Sequence, residues 1–94
     1  MQIKGEIINI PTGTHEVKLS RVCLAPIDAQ HVEWNYGNPT AKYWVRVYPM
    51  EVTLVYLKAE ALDMSGKVLA SGFGVIGMYN MSDFTYNIHL DRTS

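Results

Sequence analysis

The chain has 94 residues, 48% hydrophobic and 18% charged, with a formal net charge of −1. That length fits one domain spanning residues 1–94, and the composition excludes intrinsic disorder. No run approaches the ~20 apolar residues of a spanning helix, so no membrane partner is expected. Eight Lys and Arg stand against nine Asp and Glu. They are scattered singly, leaving no basic stripe for phosphates, so nucleic acid is excluded as a generic partner. Cys23 is the one cysteine. It cannot close an internal disulfide, and between Val22 and Leu24 it reads as a buried thiol of a reducing, cytoplasmic compartment. The N-terminus carries Lys4 and Glu6 too early for a signal peptide.

Gln2 to Ile10 opens as a strand, with Ile3 and Ile7 on one face and Gln2, Lys4 and Glu6 on the other. Ile8 and Ile10 then break the phase. Pro11-Thr12-Gly13-Thr14 is a turn, and His15 to Leu24 returns as a second strand with its own flip of phase after Leu19. The two arms read as a hairpin with bulges, or as strands bending between two sheets.

Residues 25–41 are the irregular stretch. Pro26 can start a short helix over residues 26–34, since Ile27, Gln30 or His31 and Trp34 recur at helical spacing. Asn35-Tyr36-Gly37-Asn38-Pro39 is loop. Lys42 to Tyr48 alternates as a strand, Tyr43 and Val45 against Trp44 and Arg46, and Pro49 breaks it.

Glu51 to Asp63 and Lys67 to Asn80 form a long hairpin around Asp63-Met64-Ser65-Gly66-Lys67, a type I turn with a G1 bulge. Its first arm is apolar on both faces. Val52, Leu54 and Tyr56 point one way; Val55, Leu57, Ala59 and Ala61 point the other. A sheet apolar on both sides needs cover on both sides. The cover of the second face is either another chain or the helix option at residues 26–34. Phe84, Tyr86, Ile88 and Leu90 finally alternate against polar neighbours, as in an antiparallel strand with one solvated face. The expected fold is mainly β: a small antiparallel sandwich or barrel of about seven strands.

Gly72-Phe73-Gly74-Val75-Ile76-Gly77 has the letters of a dinucleotide fingerprint, G-x-G-x-x-G. It sits in the return arm of a hairpin with no helix to follow, so the glycines read as structural, easing bulges or making room for Trp34 or Trp44. His31 with Glu33 and His89 with Asp91 are the residues a metal would use. Two such pairs without cysteine fall short of a zinc pattern, so neither a metal nor a cofactor is expected. Cys23 and the serines lack an activating neighbour, and no enzyme is expected.

Two functional readings remain. The leading one is a non-catalytic assembly or interaction protein that homo-oligomerises or docks on a larger protein complex through the face of Leu54 and Tyr56. The other is a carbohydrate or small-ligand binding module using the aromatics of residues 34–44: Trp34, Tyr36, and one of Tyr43 and Trp44, the other filling the core.

Overall fold

In the computed structural model, residues 2–21, 27–47, 53–78 and 83–93 are described. They form nine strands: β1 (Gln2–Ile8), β2 (Glu16–Arg21), β3 (Ile27–Glu33), β4 (Thr40–Val47), β5 (Thr53–Leu62), β6 (Val68–Met78) and the two-residue β7 (Phe84–Thr85), β8 (Ile88–His89) and β9 (Asp91–Arg92). One sheet runs β3-β4-β1-β7, with β8 also on β1; the other runs β2-β5-β6-β9. The mainly β sandwich expected from the alternating patterns is what forms.

The alternation fixes which side chains meet between the sheets. The first sheet contributes Ile3, Ile7, Ala41, Tyr43 and Val45, and the second Leu19, Leu57, Ala59, Ala61 and Ala70, all buried. Ile88 and Leu90 join them from the C-terminal segment. The inner face of β5 and β6 is built of small residues: Ala59 stands opposite Gly72, and Ala61 opposite Ala70. Small side chains there leave room for the C-terminal segment to pass over β6. A Cβ on Gly72 would overlap the His89 carbonyl oxygen, and one on Gly74 would lie 3.0 Å from the Tyr86 ring. The glycine-rich run is therefore structural, but the residues it accommodates are Tyr86 and His89 rather than either tryptophan.

The C-terminal segment joins the two sheets. It runs beside β1 as β7 and β8 and then pairs with β6 as β9. The alternation expected for Phe84 to Leu90 holds where side chains are described: Ile88 and Leu90 are buried, and Thr85, Asn87 and His89 are exposed. Its pairing differs from expectation, being parallel to β1 and broken into two pieces. Between those pieces the Tyr86 N–H donates to Lys4 O at 2.9 Å, and Asn87 Oδ1 accepts from the Glu6 N–H at 3.0 Å. A side chain thus substitutes for a missing ladder bond, as backbone donors beside a gap require.

The N-terminal hairpin does not form. β1 pairs antiparallel with β4, and β2 with β5, in different sheets. The phase break is a crossing between sheets: Asn9 has a φ of 68°, and Ile10 is buried after the half-exposed Ile8. The short helix over residues 26–34 is also overturned, because Ile27–Glu33 is strand β3, paired antiparallel with β4. The i+3 and i+4 recurrence that suggested a helix is outweighed by two-residue alternation, with Val32 and Trp34 packed against the core and His31 and Glu33 exposed. Without β3, β4 would leave its own ladder groups unpaired along the sheet edge. The connection to β4 shortens to residues 34–39.

The long hairpin forms as expected. Gly66 has a φ of 89°, and its N–H donates to Asp63 O at 3.1 Å. Asp63 Oδ1 accepts from the Ser65 N–H, the Ser65 hydroxyl and the Lys67 N–H at 2.9, 2.7 and 2.9 Å. Those donors hold the Asp63 carboxyl below the usual carboxylate range, the Ser65 hydroxyl first among them. Cys23, Pro26, Tyr48, Pro49 and Val52 lie outside the described residues.

Candidate functional site: the two outer sheet faces

The hairpin register determines what the second sheet shows to the outside. Tyr56 stands opposite Val75, and Lys58 opposite Phe73. Directly opposed residues share a face, so Tyr56, Phe73 and Val75 form one patch outside the sandwich. Phe73 is 57% exposed, Val75 49% and Tyr56 36%. Around the patch, Lys58 Nζ lies 5.7 Å from the Phe73 ring and 3.8 Å from Glu60 Oε2. Of the second apolar face read from the sequence, Tyr56 is the residue whose side chain is described, and it is exposed in the single chain. The segment offered as an internal cover, residues 26–34, is occupied as strand β3 of the other sheet. Leu54 belongs to β5, opposite Gly77; its side chain lies outside the described part. Phe73 and Val75 were missed as site residues because their alternation was read only as glycine spacing. The signal that could have found them was the hairpin register, which a turn at Asp63–Lys67 already fixes.

The aromatics of residues 34–44 do not converge. Tyr43 turns inward, 3% exposed, and its hydroxyl donates to Tyr86 O at 2.6 Å. Burial, with Tyr86 nearby as a lesser cause, pushes its ionisation well above the usual tyrosine range. Trp34 packs against the core and donates its indole N–H to Asn38 O at 2.8 Å. Tyr36, 77% exposed, leans on Trp34 at 6.0 Å between ring centroids. These two line a cleft of about 330 Å3 against Pro11–Thr14. Trp44 alone turns to the opposite, outer face of the first sheet.

There Trp44 stands between Lys4 on β1 and His31 on β3, each directly opposite in register. The His31 ring lies 6.0 Å from the indole at 37°, and the Arg46 guanidinium carbon 5.8 Å from the same ring. One row along, Lys42 stands between Glu6 and Glu33. The rows border a shallow concavity of about 590 Å3.

Among the described residues no three or more His, Cys, Asp or Glu side chains gather as metal ligands. His31 lies on β3 and His89 on β8, with β4 and β1 between those strands. No helix among the described residues is long and apolar enough to cross a membrane. Comparison of the chain with protein families, with curated proteins and with solved structures finds no match in any of the three.

Proposed function

We propose that this chain is a non-catalytic assembly protein that works through the outer face of its second sheet, in a reducing, cytoplasm-like compartment, with a second copy of itself as the partner. One observation carries the reading: Tyr56, Phe73 and Val75 lie side by side and exposed, on a sheet whose other face packs into the buried core. Contiguous apolar surface of this kind on a small protein marks an interaction site. Three strands spaced ~4.8 Å apart, ~3.3 Å per residue over the length of β5, present roughly 450 Å2 in projection. With side-chain relief that approaches the ~800 Å2 a standard interface takes from each partner.

Charge favours a second copy as the partner. Lys58 and Glu60 lie two residues apart on one face, and Lys18 stands opposite Glu60 on β2. A two-fold axis reversing the strand direction sets Lys58 of one copy against Glu60 of the other, the self-complementary arrangement of a symmetric dimer. A net charge of −1 opposes association little. Hydroxyl-radical footprinting tests the site. Tyr56 and Phe73 become protected as concentration rises, while Tyr36, on the far loop, does not. Equal labelling of all three at every concentration refutes the proposal.

A further inference from the structure

We propose a second, independent site on the opposite side of the molecule: the outer face of the first sheet binds an acidic saccharide, a sugar ring that carries a carboxylate. The half-buried Trp44 offers the flat apolar surface on which the face of a sugar ring stacks, within a shallow concavity large enough for a ring and its substituents. The polar groups around it are sorted by charge. Beside the indole, in the same concavity, stand two nitrogen groups, Lys4 and His31, in register on either side. That is a place for one anionic group, since cationic donors bind carboxylate more strongly than neutral ones do.

One row along the strands, ~7 Å away by the repeat of same-face residues, Lys42 stands between Glu6 and Glu33. Acceptors alternating with a donor suit the vicinal hydroxyls of a sugar, each of which both donates and accepts. Although these three are opposed in register, none of them, nor Lys4, is in an ion pair among the described residues. Their polar ends are therefore available to a ligand. The same two glutamates disfavour a strand of nucleic acid, which needs a cationic groove along its whole backbone. Lys4, one of the singly scattered cations of the sequence, comes to stand beside Trp44 and His31 only once β1, β3 and β4 are side by side.

The two tryptophans make the test direct, because each gives one indole N–H signal in a proton–nitrogen correlation spectrum, assigned with Trp44→Phe. The wild-type protein is titrated with glucuronic acid and 3′-sialyllactose, with glucose and lactose as neutral counterparts and adenosine monophosphate as an aromatic anion. The expected result is a saturable shift of the Trp44 signal by an acidic sugar, with Trp34 unmoved and the neutral sugars at least tenfold weaker. Lys4→Ala weakens the acidic sugar at least tenfold and leaves the rest of the spectrum in place, so the result does not depend on a tryptophan variant folding. No shift at Trp44 with either acidic sugar overturns the proposal. So does equal binding of the neutral sugars, or tighter binding of the mononucleotide.

Discussion

Replacing Gly5 by alanine tests the join between the two sheets. A Cβ there would overlap the Tyr86 carbonyl oxygen and lie 2.6 Å from its carbon. Carbon atoms rest at ~3.5–4.0 Å, so the segment at Tyr86 and Asn87 must retreat by about 1 Å. Three hydrogen bonds depend on its position: Tyr86 N–H to Lys4 O, Tyr43 Oη–H to Tyr86 O, and Glu6 N–H to Asn87 Oδ1. At about 1 kcal/mol each, their loss costs about 3 kcal/mol, a large share of the ~5–15 kcal/mol that holds a small domain folded. Urea unfolding reads this as a drop in midpoint of about 3 M, taking a slope of ~1 kcal/mol/M for a chain this small. Asn87→Ala removes only one of the three bonds and costs about 1 kcal/mol. Gly5→Ala unfolding within about 0.5 kcal/mol of wild type would mean that the segment at Tyr86 moves freely and does not join the sheets.

Further predictions concern the apolar face and two titrating groups. Phe73→Ser removes roughly 110 Å2 of exposed aromatic surface per copy, about 3 kcal/mol at ~25 cal/mol/Å2. With both copies affected, self-association measured by light scattering weakens about ten-thousandfold. The monomer's own stability changes by less than ~1 kcal/mol, the span of strand propensities. Tyr43→Phe loses the bond to Tyr86 O and about 1 kcal/mol in chemical denaturation. Because the folded state holds the Tyr43 phenol neutral far beyond its ordinary range, wild-type stability is complete below pH ~10 and declines above it. Tyr43→Phe flattens that alkaline decline. Asp63 titrates below its ordinary value, so its contribution is present above the ordinary carboxylate range and is lost as pH falls through the depressed value. Asp63→Asn reduces the acid-side slope of stability against pH.

The fold was legible wherever one short-range rule decided the local structure. Asp63 and Gly66 specified a turn, the turn fixed a register, and the register aligned two strands ten and eleven residues long. Tyr43 against Trp44 was legible as a pair with one member inside, though their order along the strand could not say which. What escaped was decided at long range. β1 and β2 look like a hairpin because they are neighbours in sequence, yet each finds a better partner in the other arms of the sandwich. Ile27–Glu33 carries both a helical and an alternating pattern, and only the open edge of β4 selects the second. Gly72 reads as easing a bulge or making room for a tryptophan until the carbonyl of His89 is placed against it. The apolar patch was half visible: Tyr56 from its own strand, but Phe73 and Val75 only across the register. Trp44 was visible as an aromatic, but its setting between Lys4 and His31 combines three strands that sequence order keeps apart.

The most direct test of the assembly reading is sedimentation velocity on the wild-type chain and on Phe73→Ser, from roughly 1 to 100 μM, a range that spans weak to moderate affinities. The expected result is a dimer or larger species that dissociates on dilution in the wild type, and a monomer throughout in the variant. A wild-type chain that is monomeric across the whole range, or a variant that assembles as readily, would contradict it.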